Sequence, residues 1–440
     1  MFRYYLMLGV RSLRRNPALT ALMLVTLAVG VAASISTLTI LHIMEGNPIP
    51  DKSDRLLTPL FDVGPARTYD PNAPREEYEV VVTYKDSVAM LGSGVGTRRT
   101  PVLDVAGSVE PARPDLPVTD IQGVAATADY FAMFDAPFLH GGAWTAADDR
   151  AAARVVVISK RKAEELFGTE NAVGRRLKIW DRELTVVGVL QDWAPVPRYT
   201  HILNGSGGVF NGQDDMFVPF NTAIAAEQRS NGTTNCSDDP EPGYQGLLKS
   251  ECTWMFFWFE VARPSDRAQV RSWLDAYQAE QRRLGRLQRP PAPKLFNVME
   301  WLDWVGVVEN DNRIAVWLSL GFLAICMVNT MGLLLAKFSV RSTEVGVRRA
   351  LGASRGAIFR QFLVESAVIG GAGGVLGLAL SFATLWLIRK QAPGLENLAR
   401  MDWAMLATNF VLAIGASLAA GLLPTWRASR VTPALQLKSQ

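Results

Sequence analysis

The chain is poor in the side chains that do chemistry. Its 440 residues include 3 cysteines and 3 histidines. His42, His140 and His201 stand far apart, without the close His/Cys spacing of a metal site. Gly92-Ser93-Gly94-Val95-Gly96-Thr97-Arg98-Arg99 lacks the Gly-Lys-Ser/Thr ending through which a phosphate loop meets its nucleotide, and reads as a turn. No hydrolase triad or paired-carboxylate motif stands out, so the chain does not read as an enzyme and no cofactor is expected in it. A large charge excess is missing too: 45 Lys+Arg face 42 Asp+Glu, a net of +3. With 20% charged and 49% hydrophobic residues, a disordered or nucleic-acid-coating chain is excluded, and no nucleic-acid partner is expected.

Charge is absent altogether from four long stretches: 18–44, 314–336, 366–388 and 403–426. Each can cross a hydrocarbon layer of about 30 Å, which takes about 20 helical residues. The expected fold is an α-helical membrane protein with four transmembrane helices and a large mixed α/β extracytoplasmic domain, residues 45–313, between helices 1 and 2.

The flanks set the orientation. Arg3, Arg11, Arg14 and Arg15 precede the first stretch with no acid among them. The 337–365 loop carries Lys337, Arg341, Arg348, Arg349, Arg355 and Arg360 against Glu344 and Glu365. The 427–440 tail adds Arg427, Arg430 and Lys438. The positive-inside rule puts all three in the cytoplasm, facing lipid headgroups, and both termini with them. Residues 389–402, with Arg389, Lys390 and Arg400, form a short outside link and a mild exception. Residues 45–313 hold 29 Lys+Arg and 38 Asp+Glu, a net of −9, and the rest holds 16 and 4, a net of +12. Near-neutrality therefore hides a polarised molecule.

In the outside segment, Val80–Tyr84, Arg154–Ile158, Leu184–Leu190 and Met255–Val261 read as strands. Lys160–Phe167 reads as a helix ended by Gly168, and Ser265 as the cap of a long helix reaching Leu287. Tyr199–Asp215 reads as a loop or insertion. Cys236 and Cys252 share the oxidising side, so a bridge stapling the polar loop Ser237–Gly243 is the favoured state and two free thiols the alternative. In the third stretch, Gly370, Gly373, Gly374 and Gly377 give small-xxx-small spacings that let another helix approach closely, within the chain or across a dimer, with packing within the chain favoured. Asn329-Thr330 in the second reads as polar glue between helices.

The 337–365 loop is the most informative segment. Thr343 to Leu351 can form a short helix, Gly352 can end it in a left-handed turn, and Ser354 can cap the next. A helix fixed between two spans in this way can pass force into the membrane.

Arg341-Ser342-Thr343-Glu344-Val345-Gly346-Val347-Arg348-Arg349-Ala350-Leu351-Gly352-Ala353-Ser354-Arg355, followed by Gln361-Phe362-Leu363-Val364-Glu365-Ser366, resembles the loop of FtsX-like permeases. These are the membrane subunits of MacB-type (macrolide-exporter) ABC transporters. Leu13-Arg14-Arg15-Asn16-Pro17 resembles the family's amphipathic lead-in, residues 1–17. Asp129-Tyr130-Phe131, Phe134, Pro137, Gly141, Asp148, Ser159, Leu166-Phe167-Gly168, Val173-Gly174 and Val186–Val189 resemble its periplasmic core domain. Gly421, Pro424, Arg427–Arg430 and Pro433 resemble the close of its fourth helix.

The resemblance implies a bacterial inner-membrane half-transporter working as a dimer with an identical or paralogous chain. ATP and Mg would be bound by a partner ABC ATPase dimer on a separate polypeptide, because no cytoplasmic segment carries a Walker loop. ATP binding and hydrolysis there would drive periplasmic conformational change and extrusion of a peptide, antibiotic or other amphiphile. A periplasmic adaptor and an outer-membrane exit duct are the further partners implied. Carried over by position, Glu344, Val345, Gly346, Arg348, Arg349, Ala350, Leu351, Gly352 and Ala353 form the ATPase-coupling helix, with Arg348 and Arg349 facing the ATPase groove, phosphates or lipid. The alternatives are mechanical regulation of a periplasmic hydrolase or sensor, and lipoprotein release.

Overall fold

The computed structural model describes residues 16–72, 81–111, 117–201, 209–210, 213–307, 310–391 and 403–429. The amphipathic lead-in up to residue 15, residues 392–402 of the outside link and the tail from 430 lie outside the described residues. The chain divides into two compact units, 1–44 with 308–440, and 45–307.

In the second unit, eleven strands join one mixed sheet among the described residues. They are β1 (Leu56–Leu60), β2 (Val82–Thr83), β3 (Arg98–Val109), β4 (Thr119–Ala126), β5 (Phe138–Gly141), β6 (Val155–Ser159), β7 (Arg176–Ile179), β8 (Arg182–Leu190), β9 (Met216–Pro219), β10 (Thr253–Glu260) and β11 (Lys294–Phe296). The order is β11-β1-β10-β3-β4-β9-β6-β8-β5, with β2 on β10 and β7 on β8. β4–β9 and β6–β8 pair in parallel and the other pairs are antiparallel.

Strand alternation sorts the core into two layers. On β10, Phe257 and Phe259 point into an aliphatic-rich face with Leu103 and Val105 of β3. Phe256 and Trp258 point the other way, into an aromatic face with Tyr130, Phe131, Phe134, Trp144, Tyr199 and Phe217. Every residue of β10 is buried, which is why its run is continuously apolar rather than alternating. At its end, the fully buried Glu260 accepts from Arg55 (2.8 Å) and Arg98 (2.7 Å), tying β1 and β3 to β10.

Two local expectations change. Val80–Tyr84 gives only the two-residue β2, because Thr83 accepts a hydrogen bond from the Asp86 amide and caps a helix over Tyr84–Leu91; Val80 itself lies outside the described residues. Ser265 is not a helix cap: Pro264–Asp266 forms a 3₁₀ turn and the long helix runs over Arg267–Arg283, since Asp266 folds back onto Arg263. Lys160–Phe167 is helical and Gly168 closes it at φ 70°, a left-handed position that glycine adopts without steric cost.

Among the described residues, the first unit holds α1 (Pro17–Met44), α2 (Asn310–Ser339), α3 (Ser342–Ala350), α4 (Arg355–Gln391) and α5 (Trp403–Ser429). Within these, Pro17–Met44, Arg313–Ser339 and Arg355–Leu387 are long and apolar enough to cross a membrane. In α5, the described apolar stretch Ile414–Trp426 is shorter. Small residues bring the helices together. Cβ positions at Gly373 and Gly377 of α4 would meet Leu27 and Val31 of α1 at 2.9 and 2.8 Å, and one at Gly421 of α5 would meet Ser366 at 2.4 Å. Ser34 donates to the Ser319 carbonyl (3.0 Å), and Thr37 and Ser319 share a 2.7 Å hydroxyl pair, joining α1 to α2.

The domain also buries a charged cluster on its aromatic face. His201, 2% exposed, has Nε2 at 3.5 Å from Asp104, 3.3 Å from Asp214 and 3.2 Å from Arg198. Its Nδ1 pairs with the Thr200 hydroxyl at 2.8 Å, and Trp258 donates to the Thr200 carbonyl at 2.9 Å. Burial pushes the Asp104 carboxyl above its ordinary range, against the pull of His201. Burial pushes Asp214 up as well, but Arg198 and His201 outweigh it and hold that carboxyl at about 2. An acid held below its unfolded value adds stability above the unfolded pKa and loses it as pH falls toward the folded one. Asp214→Asn should therefore cost about 2 kcal/mol at pH 7 and flatten the loss of stability between about pH 4 and 2. Asp104→Asn, which relieves a disfavoured charge, should be neutral or stabilising at pH 7. Denaturant unfolding of the full chain followed by tryptophan fluorescence measures both; equal losses would refute the assignment.

Candidate coupling site

The turn between α2 and α4 is built from a carboxylate that cannot stand alone. Glu365, on α4, is 3% exposed. Lys337, in the last turn of α2, lies 3.1 Å from its Oε1, and Arg341, just before α3, donates to both oxygens at 3.2 and 3.0 Å. Lys337 and Arg341 are four residues apart, so a helical turn puts them on one side. The cation pair and the carboxylate thus fasten the end of α2, the start of α3 and the body of α4 to one point.

α3 is pinned along one side. Val345 is 7% exposed and packs with Leu334, Phe338, Ile358 and Phe362; the Phe338 and Phe362 rings lie 4.3 Å apart. One turn later Arg348 donates to Gln361 on α4 (2.9 Å) and to Glu344 on its own helix (2.6 Å). Leu351 ends the helix, Gly352 turns left-handed at φ 95°, and Ser354 accepts from the Ala357 amide at 3.2 Å, starting α4. The expected helix, left-handed glycine and serine cap are present, one residue earlier than the expected helix bounds.

Away from that side, the described apolar residues of this segment are exposed. Val347 is 54% and Leu351 83% exposed, and Val340 ahead of the helix is 80% exposed. A side of this kind offers apolar surface to whatever covers it. Among the coupling residues expected from sequence, Val345 faces inward with Ala353 packed against its cluster. Glu344 and Ala350 are exposed, and Gly346 and Arg349 are half-buried. Arg348 ties α3 to α4 through Gln361 while 42% of its side chain stays exposed. Lys337, Glu365 and Gln361 were missed as site residues. A carboxylate at the edge of an apolar stretch, with Lys and Arg at helical spacing nearby, was the available signal.

The other sequence-derived positions lie elsewhere. Cys236 and Cys252 are bonded at 2.01 Å in the second unit, closing a loop with Asp238, Asp239 and Glu241 along a groove of about 320 Å³. Gly370 and Gly374 are buried within α4, as are Gly373 and Gly377 against α1.

Comparison with known proteins gives the arrangement a family. Residues 20–277 match the MacB-like periplasmic core domain, and residues 316–433 match the FtsX-like permease C-terminal domain. The chain belongs to the MacB-type, FtsX-like permeases. This MacB-type permease is 22% identical to the macrolide export ATP-binding/permease protein MacB of Salmonella typhi, over 98% of this chain and 60% of that protein. It is 25% identical to the pyoverdine export ATP-binding/permease protein PvdT of Pseudomonas aeruginosa, over 71% of this chain and 41% of that protein. The crystal structure of the periplasmic region of MacB from Actinobacillus actinomycetemcomitans aligns over 58% of this chain and 93% of that one, at 12% identity and a TM-score of 0.35. The permease thus spans about 60% of the length of the Salmonella relative.

Removing one partner from a buried ion cluster leaves the rest uncompensated, at a cost of about 3–5 kcal/mol. Glu365→Leu should accordingly expose the 341–355 turn of the permease to limited proteolysis, and Glu365→Asp should protect it again. Unchanged cleavage of the leucine variant would show that the carboxylate does not hold the turn.

Proposed function

We propose that the chain is the membrane subunit of an ATP-driven exporter, in which a partner ABC ATPase binds α3 and moves it. The observation that carries this reading is the two-sidedness of α3. One side is fixed to α2 and α4 through Val345, Arg348 and the Glu365 cluster, and the other presents Val347 and Leu351. A force applied to the open side has no slack to take up before it reaches two long apolar helices.

In this reading four helices cross a bacterial inner membrane, both termini and α3 lie in the cytoplasm, and the α/β domain lies in the periplasm. The basic 337–365 loop supports that orientation. ATP and Mg are bound by the ATPase and none by the residues of this chain. Two permease chains work together, and the periplasmic domains act on a peptide, antibiotic or other amphiphile, handed to an adaptor and an outer-membrane duct. The names of the relatives, which join ATP binding to export of a macrolide or of pyoverdine, favour export over the regulatory and lipoprotein-release readings.

Affinity purification of the full chain from native membranes, with ATP present, should recover an ABC ATPase. Val347→Asp combined with Leu351→Asp should abolish that recovery while leaving the melting temperature of the chain within a few degrees. Recovery of the ATPase by the double variant would place the docking surface elsewhere. Arg348→Glu with Arg349→Glu should also weaken recovery, but it cuts the internal tie to Gln361, so the Val347/Leu351 pair is the cleaner probe.

A further inference from the structure

One irregular segment of the α/β domain lies inside it rather than over it. Connecting segments usually run over the surface, because a buried loop carries backbone groups that water cannot reach. Residues 197–201, between β8 and β9, belong to no helix or strand, yet all five are buried. The Tyr199 ring lies 5.9 Å from Trp258 and 5.7 Å from Phe134. Trp258 donates to the Thr200 carbonyl at 2.9 Å and Tyr130 to the Thr200 hydroxyl at 3.4 Å. The Arg198 amide donates to the Val209 carbonyl at 2.8 Å. The segment thus covers part of the aromatic face as a strap.

The charges that hold the strap down do not balance without a proton. It brings Arg198 and His201 to two carboxylates, Asp104 on β3 and Asp214 just ahead of β9, and all four side chains are buried. Two carboxylates against one guanidinium leave one negative charge while the imidazole is neutral. A buried charge without compensation is strongly disfavoured, and such a group takes up a proton instead. Hydrogen bonding shows the same shortfall. Asp214 Oδ1 and Asp104 Oδ1 face His201 Nε2 at 3.3 and 3.5 Å, and neither oxygen has a hydrogen-bond partner among the described residues. A hydrogen on Nδ1, toward Thr200, leaves both oxygens facing a lone pair; moved to Nε2, it serves one of them and the charge is unchanged. A proton added at this junction brings the charge to zero and supplies a second donor. Burial pushes the Asp104 carboxyl above its ordinary range, as such a junction requires. Among the described residues, the neighbouring groups do not change the count. Burial holds the Tyr130 and Tyr199 hydroxyls above their ordinary range, so both stay neutral. Asp215, beside Asp214, is matched by Arg161 at 2.7 Å, and Asp135, near Tyr199, by Lys52 at 2.6 Å. Residues 202–208 and 211–212 contain no ionisable side chain.

We propose that residues 197–201 are a proton-held strap, docked while Asp104 and His201 share one proton and released as pH rises, which uncovers Trp258, Tyr130 and Phe134. The proton belongs to the cluster rather than to one residue, since groups this close titrate together. In the released segment the imidazole and both carboxylates stand in water, where all three are unprotonated above about pH 7. The docked form then binds one proton more than the released form, so docking weakens by about tenfold per pH unit. Below about pH 6 the released imidazole holds a proton as well, and the dependence fades. The strap lies wholly within the α/β domain, so it stands apart from the docking of an ATPase on α3.

The test is hydrogen exchange of the full chain in detergent micelles, read by mass spectrometry on peptides spanning 197–201 and corrected for the intrinsic pH dependence of amide exchange. The opening equilibrium of the strap should rise about tenfold from pH 7 to 8 and change less than about twofold from pH 5 to 6. Asp104→Asn reaches neutrality without a proton, so its strap should stay as protected at pH 8 as at pH 6. Asp214→Asn removes the same charge and should flatten the dependence too, at lower protection throughout, because Arg198 and His201 lose the carboxylate they hold ionised. Peptides from β6 give the reference for opening of the whole domain and should be better protected than the strap at pH 8. A wild-type strap whose opening does not move with pH, a slope that survives in either asparagine variant, or a strap that opens only together with β6 would each overturn the proposal.

Discussion

Hydrocarbon accepts no unpaired polar group, and that single constraint orders most of what the membrane unit does. It is why α1, α2 and α4 are stripped of charge along their apolar stretches, and why hydroxyls such as Thr26 and Thr384 bond to their own helix. It also gives Glu365 its meaning. A carboxylate 3% exposed at the edge of such a stretch persists only with compensation, and Lys337 and Arg341 supply it. Because the two cations come from the end of α2 and the approach to α3, satisfying one charge fixes three segments at once.

From that fixation follows the mechanical character of α3. A helix of nine residues is too short to be stable alone in water. It exists here because Val345 is buried against α2 and α4, and because Arg348 reaches Gln361. The same dependence makes it a good lever. Any displacement of α3 that keeps Val345 buried must carry Phe338 and Phe362 with it, and those rings belong to the two helices it connects. The residues left over on its open side, Val347 and Leu351, are the ones that do not contribute to this attachment and so are available to a partner.

The sequence exposed the large features because each has a one-dimensional signature. Charge-free length marks apolar helices, β-branched runs mark β6 and β8, and Lys160–Phe167 followed by Gly168 marks a helix with its stop. α3 was legible for the same reason, through Gly352 and Ser354 at its end. What escaped was whatever depends on residues distant in the chain. The tie from Arg348 to Gln361 escaped because nothing local shows the two side by side. His201 read as an isolated histidine because its partner Asp104 lies on β3, far away in the chain, and because nothing in the spacing of His201 and Asp214 marks them as neighbours. Val80–Tyr84 misled because a strand-forming composition was outweighed by a local cap, Thr83 on the Asp86 amide. Even the pairing of Gly373 and Gly377 with α1 rather than with another chain needed three dimensions.

Helix α2 brings these threads together. Its Ser319 meets Ser34 and Thr37 of α1, and its last turn carries Lys337 into the Glu365 cluster. The backbone of α2 is hydrogen-bonded from turn to turn, so a displacement of the Glu365 cluster at one end is felt where α1 is held further along. Gly373 and Gly377 seat α4 on that same α1, so α1 is gripped from two sides by the helices that flank α3. A push on α3 therefore has three long helices to move, and their mutual contacts make them answer together.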